Sequence, residues 1–195
     1  MAEPPVDEDQ ELMARIQSGD VKAFEVLYAR YASPLLNFFW RMCFDRVASE
    51  DYLQETFLRV WRARASYRPV GRVSTWLFQI AKHFWFNERE KQKLRPFHAV
   101  HGGEEPGALL LDAEEEGPSP GEAAATRELA EAVRGAVEEL SDKLRLVFVL
   151  ARYRGLPYSE IAEIAEIPVG TVKSRVALAE KTLRERLTTH RQEAP

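Results

Sequence analysis

The sequence predicts an all-α protein of two small helical domains, an N-terminal helical bundle and a C-terminal helix-turn-helix, joined by a flexible acidic linker. Apolar residues recur at helical spacing from Asp9 to about Arg95 and again from Thr126 to about Leu187. The segment between them has clustered prolines and glycines, no Lys or Arg, and 7 acidic residues. No long alternating pattern typical of a strand appears. We therefore expect domains at 1–95 and 126–190, with the linker at 96–125.

The composition excludes several classes of protein. Of 195 residues, 45% are hydrophobic and 30% are charged, which is too apolar for a disordered chain and too charged for a membrane protein. No apolar run approaches the roughly 20 residues that a spanning helix needs, and the acidic start MAEPPVDEDQ is unlike a secretory signal. Cys43 is the only cysteine, so an intrachain disulfide is excluded. We expect a soluble, cytoplasmic protein.

The charges are unevenly distributed, although the formal net charge is only −4. Residues 55–95 carry 10 basic and 3 acidic groups, a net of +7, and residues 170–195 carry 6 basic and 3 acidic groups, a net of +3. Such tracts are either solvated helix faces or surfaces for a polyanion, whose condensed counterions are released by Lys and Arg. Charge alone does not decide between these interpretations.

The N-terminal domain is predicted to contain three or four helices. Breaks are expected at Gly19-Asp20 and around Pro69–Gly71. Before the first break, Leu12 and Ile16 lie four residues apart. Between the two breaks, the apolar residues repeat at helical spacing in two groups: Phe24, Leu27, Tyr28 and Tyr31; Leu53, Phe57, Val60 and Trp61.

The segment 76–90 contains more aromatic residues than one core face requires. On a helical projection, the core stripe is predicted to be Leu77, Ile80, Ala81 and Phe84. A second stripe alternates aromatic and basic side chains: Phe78, Lys82, Trp85 and Arg89. An exposed stripe of this kind suits single-stranded nucleic acid, because bases stack on aromatic rings and phosphates pair with cations. The alternative, equally favoured by this pattern, is that Phe78 and Trp85 are buried against a neighbouring helix or a partner.

The C-terminal domain contains a predicted helix-turn-helix. Its inward positions are Ile161, Ala162, Ala165, Ile167, Val172 and Val176. Pro168 is expected to end the first helix and to open the second at its N-terminal turn, and Glu166 stands where glycine usually makes the turn. The outward residues of the second helix donate to phosphates and base edges from a helix in the major groove: Thr171, Lys173, Ser174 and Arg175. An ordinary helical hairpin is the alternative.

Two stretches together carry a family resemblance. ASEDYLQETFLRVWRAR followed by STWLFQIAKHFWFNERE resembles region two, and ELSDKLRLVFVLARYRGLPYSEIAEIAEIPVGTVKSRVALAEKTL resembles region four, of the extracytoplasmic-function (ECF) sigma factors. The resemblance covers about four-fifths of the chain and implies a promoter-specificity subunit of bacterial RNA polymerase. It implies core polymerase, through the β′ clamp helices and the β flap, and promoter DNA as partners, and it is compatible with an anti-sigma factor.

The resemblance also assigns roles to residues. Binding to polymerase is implied for Asp51, Gln54, Glu55, Phe57, Arg59, Trp61 and Arg62, with Asp51, Gln54 and Arg62 facing outward. Recognition of the melted minus-ten strand is implied for Trp76, Phe78, Lys82, His83, Trp85, Phe86, Asn87 and Arg89. Recognition of the minus-thirty-five duplex is implied for Thr171, Lys173, Ser174 and Arg175. His83 departs from the family pattern, and so do Ala177, Leu178 and Glu180, where the family often has polar or basic residues.

Two other classes of function compete with this interpretation. A stand-alone helix-turn-helix regulator is compatible with the C-terminal domain but needs neither the Asp51–Arg62 nor the Trp76–Arg89 segment. An enzyme acting on nucleic acid is not supported, since no metal-ligand cluster, phosphate-binding glycine loop or catalytic triad pattern is present in the sequence. We expect a protein without cofactor, metal or catalytic residues.

Overall fold

The computed structural model describes residues 8–94 and 120–193, with side chains at 8–94 and 129–188. Within these residues there are eight α-helices and no β-strand, so the predicted all-α fold is confirmed. The described residues fall into two compact helical units, the first containing α1–α4 and the second most of α5–α8. The helices are α1 (Glu8–Gln17), α2 (Val21–Cys43), α3 (Arg46–Ala63), α4 (Val73–Leu94), α5 (Pro120–Glu138), α6 (Asp142–Phe148), α7 (Tyr158–Ala165) and α8 (Val169–Glu193).

Aspartate caps begin the two central helices of the first unit. The carboxylate of Asp20 accepts a hydrogen bond from the amide of Ala23 at the start of α2, and Asp45 accepts one from Ala48 at the start of α3. The preceding helix α1 ends at Gln17, where Gly19 has a φ of +90° that favours glycine. The predicted break at Gly19-Asp20 is therefore a turn followed by a helix cap.

A continuous apolar core holds the four helices of the first unit together. Its buried members come from all four helices and the α3–α4 loop: Met13, Ile16, Ala23, Leu27, Val60, Tyr67, Val73 and Leu77. All four tryptophans of the chain belong to this unit, at positions 40, 61, 76 and 85. The N-terminal helix is further attached by its buried Asp9, which accepts hydrogen bonds from Arg30 and Tyr31 of α2.

The second unit begins earlier in the sequence than expected. Helix α5 starts at Pro120 rather than near Thr126, so the last six residues of the predicted linker are helical. Proline is well tolerated in the first turn of a helix, and the alanines at 123–125 are strong helix formers. Residues 96–119 of the predicted linker lie outside the described residues.

A buried arginine ties the end of α5 to α6. The guanidinium of Arg145 donates to the carbonyl oxygens of Val137 (3.1 Å) and Leu140 (3.3 Å), and also to that of Glu138. Val137 and Glu138 lie in the last turn of α5 and Leu140 lies just after it, in the region where a helix leaves carbonyl oxygens short of partners. A short π-helical segment, Val149–Tyr153, follows α6 and leads towards the helix-turn-helix.

The turn between α7 and α8 is made by Glu166 in the left-handed conformation, with a φ of +57°. The amide of Ile167 donates to the carbonyl of Ala162 (3.1 Å), and the amide of Glu166 donates to that of Glu163 (3.3 Å). This is the Schellman pattern in which glycine is most common. It ends α7 before Pro168, whose carbonyl instead accepts the first hydrogen bond of α8 from Val172. Pro168 therefore opens the second helix as predicted, but it does not end the first, which stops at the Glu166 turn.

Candidate nucleic-acid interface

The N-terminal half of α8 presents a polar and basic surface. Val172 and Val176 are buried, which fixes the rotation of the helix. Lys173 and Ser174 are then exposed, while Thr171 and Arg175 are half-buried at the edges. The four predicted duplex-binding residues therefore lie on the open side and edges of the second helix of a helix-turn-helix, the geometry that places a helix in the major groove.

Further along α8 the exposed surface changes character. Leu178 is 51% exposed and Ala177 is exposed as well. Glu180 accepts hydrogen bonds from Nε and Nη2 of Arg152, which lies in the π-helical segment. The hydrogen bonds that Arg152 donates to Glu180 raise the pKa of Arg152 above its ordinary value. Sequence reasoning missed Arg152, because a contact between residues 28 positions apart leaves no local pattern.

The aromatic and basic stripe of α4 is not arranged as expected. Phe78 and Trp85 are 1% and 0% exposed, so they are core residues rather than an exposed stacking surface. The reason is that α4 contacts both α2 and α3, so its buried face is wider than a single stripe. The ring of Phe78 packs edge-on against Phe38 of α2 at 5.5 Å. The alternative of burial against a neighbouring helix is the one found for these two residues.

A different stripe of α4 faces solvent. His83 and Asn87 are exposed, and Trp76 and Phe86 are half-buried. Trp76 lies seven residues before His83, and Phe86 and Asn87 lie three and four residues after it, so all four are on one side of the helix. Arg89 is half-buried on the neighbouring edge, and its guanidinium lies 5.8 Å from the centroid of the Trp85 ring. Lys82, seven residues before it, is buried, so the prediction that it faces outward was wrong. Five of the eight predicted strand-binding residues therefore remain at least partly exposed on this side or its edge, whereas Phe78, Lys82 and Trp85 are buried.

Helix α3 has one apolar and one polar face. Asp51, Gln54 and Arg62 are exposed as expected. Phe57 is buried, and Trp61 is half-buried with its ring 5.1 Å from that of Phe24. The outward stripe also contains Leu58, 49% exposed, which sequence reasoning missed although it lies four residues from both Gln54 and Arg62.

Two charged residues of α3 are engaged within the first unit. The carboxylate of Glu55 pairs with Arg59 at 2.9 Å and with Arg62 at 3.9 Å. The guanidinium of Arg59 also lies 4.7 Å from the ring centroid of Phe84, linking α3 to α4. Of these residues, Arg62 is the most exposed and the most accessible to a partner.

Neither a metal centre nor a membrane span is found in the part of the chain that the structure describes. No group of three or more His, Cys, Asp or Glu side chains there is arranged to hold a metal ion. None of the helices in residues 8–94 and 120–193 is long and apolar enough to cross a membrane.

Comparison with known proteins agrees with this arrangement. Sigma-70 region 2 matches residues 27–95, and Sigma-70 region 4 matches residues 130–183. The RNA polymerase sigma-H factor of Pseudomonas aeruginosa is 31% identical over 91% of this chain and 92% of its own length. The ECF RNA polymerase sigma-E factor of Escherichia coli strain K12 is 33% identical over 90% and 92%. The chain belongs to the ECF sigma factors.

Solved structures of sigma factors have the same fold. CnrH, in complex with the cytosolic domain of CnrY, matches with a TM-score of 0.69 at 24% identity, covering 94% of this chain and 99% of CnrH. RpoE of Bartonella quintana, in complex with the anti-sigma factor NepR, gives a TM-score of 0.63 at 21% identity, covering 86% and 98%. This sigma factor is accordingly a promoter-specificity subunit that binds RNA polymerase and promoter DNA.

Proposed function

We propose that the two units of this sigma factor divide the work of promoter recognition. The second unit binds the minus-thirty-five duplex through the N-terminal half of α8, and the first unit binds core polymerase and the melted minus-ten strand. The observation that carries this proposal is the exposure of Lys173 and Ser174, with Arg175 at the edge, on the second helix of a helix-turn-helix. The domain limits are part of the proposal: the first domain at 1–95, and the second at 120–190 because α5 starts at Pro120, with the linker at 96–119.

For the minus-ten strand, the solvent-facing stripe of α4 is the proposed surface. Phe86 and Trp76 offer aromatic rings for stacking, while His83 and Asn87 offer hydrogen-bonding groups for base edges. Arg89 borders this stripe and supplies positive charge for the phosphates, whereas Lys82 is buried. Phe78 and Trp85 support the stripe from the core rather than contacting bases.

For polymerase, the outward stripe of α3 is the proposed contact with the β′ clamp helices. Asp51, Gln54 and Arg62 give this stripe polar groups, and Leu58 gives it an exposed apolar centre. Glu55 and Arg59 orient the charges around that centre through their ion pair. Phe57 and Trp61 hold the helix in place. The β flap is the proposed contact of the second unit.

Run-off transcription with purified core polymerase tests the assignment of α8. We expect the double variant Lys173→Ala, Arg175→Ala to lower initiation at promoters that depend on the minus-thirty-five element about 10-fold or more, because phosphate and base-edge contacts are lost. Co-elution with core polymerase should be unchanged. The matched control is Lys181→Ala, Arg184→Ala, which removes the same charge from exposed positions further along α8 and should cost at most about threefold.

Three outcomes contradict the proposal. Loss of polymerase binding in the Lys173, Arg175 variant means that this surface binds protein rather than DNA. Equal losses in the variant and its control mean that only the net charge matters. Initiation that never depends on added protein, together with specific duplex binding in the absence of polymerase, favours a stand-alone regulator.

We further propose that this sigma factor acts without a catalytic centre of its own and works in the cytoplasm, where RNA polymerase transcribes. An anti-sigma factor is a proposed third partner, since RpoE of Bartonella quintana was solved with the anti-sigma factor NepR and CnrH was solved with the cytosolic domain of CnrY. Purification from the native cell should recover a stoichiometric partner besides polymerase. Recovery of polymerase alone contradicts this part of the proposal.

A further inference from the structure

The ion pair between Arg152 and Glu180 lies beside the proposed duplex-binding surface. Nε of Arg152 lies 2.5 Å from Oε1 of Glu180, and Nη2 donates to the same oxygen. The two side chains are 53% and 32% exposed, so the pair is open to solvent and to a partner. It joins the π-helical segment to α8 within the second unit.

Glu180 is out of place on a surface that approaches DNA. It is the only acidic residue between positions 169 and 183, a stretch that also contains Lys173, Arg175 and Lys181. It lies seven residues after Lys173, on the same edge of the helix and about 10 Å further along its axis. At about 0.1 M salt, where the Debye length is about 10 Å, a bare carboxylate at that distance still acts on the phosphate contact, and it acts more strongly at lower salt.

We propose that Arg152 is a positioning residue for duplex recognition, which acts by neutralising Glu180. With the pair intact, the edge of α8 beyond Lys173 carries no net negative charge, and the helix approaches the phosphates without repulsion. Without Arg152, Glu180 repels the duplex and weakens the contacts made by Lys173 and Arg175. This inference rests on the proposed role of α8.

A double-mutant cycle in the full-length protein tests it, using fluorescence anisotropy with a labelled duplex of random sequence and a second duplex carrying the minus-thirty-five element. We expect Arg152→Ala to weaken binding to both duplexes about 3- to 10-fold at low salt, and less than about twofold at high salt, because the penalty is electrostatic. Glu180→Ala should stay within about twofold of the unaltered protein, and the combined variant should return to that level.

The conservative variant Arg152→Lys provides the matched control. It keeps the positive charge opposite Glu180 but not the two-pronged hydrogen bond, so we expect nearly full duplex binding. Thermal unfolding of every variant is measured in parallel. A role in folding alone predicts equal losses for Arg152→Ala and Glu180→Ala, since both break the same pair, and that result overturns the inference.

Two other results also overturn it. If the combined variant binds as weakly as Arg152→Ala, then Arg152 contacts phosphate directly instead of acting through Glu180. If Arg152→Ala binds the duplex as tightly as the unaltered protein does, the Glu180 carboxylate does not repel the duplex. The Lys173→Ala, Arg175→Ala variant separates this inference from the proposed function: unchanged duplex binding there contradicts the role of α8 itself.

Discussion

Trp85 is the largest fully buried side chain among the described residues, and its indole N–H has no hydrogen-bond partner there. We expect Trp85→Ala to destabilise the first unit by about 3–5 kcal/mol, because it leaves a large cavity. Trp85→Phe should cost markedly less, since it removes the unpaired donor together with only part of the ring. Urea unfolding followed by circular dichroism measures both. Equal losses of unfolding free energy in Trp85→Ala and Trp85→Phe contradict this account of the packing.

Phe86 is half-buried, as is Trp76, and it is the neighbour of the fully buried Trp85, so its ring is partly accessible for stacking on a base. We expect Phe86→Ala to lower open-complex formation about 5- to 100-fold, the range given by stacking on one base. Phe86→Trp should retain activity, whereas Phe86→Leu should not, because an aliphatic side chain cannot stack in the same way. Permanganate reactivity of the melted strand measures the effect. Full activity of Phe86→Leu shows that only apolar volume is needed.

Residue patterns predicted the recognition helix better than they predicted α4. In α8 the buried positions form one narrow stripe, so Val172 and Val176 in the sequence were enough to place Lys173 outward. In α4 both Leu77 and Phe78 are buried, although they head different stripes, because three other helices, α1, α2 and α3, contact α4. A projection of one helix cannot reveal how many neighbours it has.

The α7–α8 turn stores strain at a single residue. A side chain with Cβ in the left-handed conformation costs about 1–2 kcal/mol, and glycine avoids that cost while losing some entropy on folding. We therefore expect Glu166→Gly to stabilise the turn by about 0.5–1 kcal/mol, measured by hydrogen exchange of the α7 and α8 amides. Glu166→Ala removes the same carboxylate but retains the strain, so it should give no stabilisation.

The departure at Glu166 was visible in the sequence, but its consequence was not. A non-glycine residue at the turn left a simple helical hairpin open as an alternative. The structure adopts the Schellman geometry despite the strain, because the burial of Ile161, Val172 and Val176 outweighs it. Local preference is a weak guide wherever several buried side chains depend on the same turn.

The cap of α2 makes the first unit sensitive to acid. Hydrogen bonds from the Ala23 amide and then from Arg15 lower the pKa of Asp20 below its usual value of 3.8. A carboxyl whose pKa is lower in the folded state stabilises the protein fully above its unfolded pKa, and this contribution is lost as the pH falls through the folded pKa. Asn also caps helices but does not ionise.

We therefore expect Asp20→Asn to be less stable than the unaltered protein near neutral pH, with the difference shrinking as the pH falls below the ordinary carboxyl range. The difference in urea midpoint between the two proteins across the acid range is the measurement. Because other carboxyls titrate equally in both proteins, their contributions cancel. A difference that does not change with pH contradicts the role of the Asp20 charge.

The whole molecule has a net charge of −4, although its two proposed DNA-binding surfaces, on α4 and α8, must approach a polyanion. The N-terminal half of α8 offers only Lys173 and Arg175 as cations, too few for strong duplex binding alone. In the proposed mechanism, polymerase overcomes this by holding the sigma factor and the promoter together, which makes the separate contacts simultaneous. The two-domain organisation was predictable because hydrophobic periodicity stops where the acidic, proline-rich segment begins.

The placement of every tryptophan in the first unit gives the protein a built-in optical label. Under long-wavelength excitation that spares tyrosine, the fluorescence comes from the tryptophans of the first unit alone, because the second unit contains none. Binding of polymerase or an unpaired DNA strand near Trp61 or Trp76 should change the emission. Occupation of α8 by duplex should not do so directly. A titration followed by tryptophan emission therefore reports binding at the first unit separately from duplex binding at α8, without any attached dye.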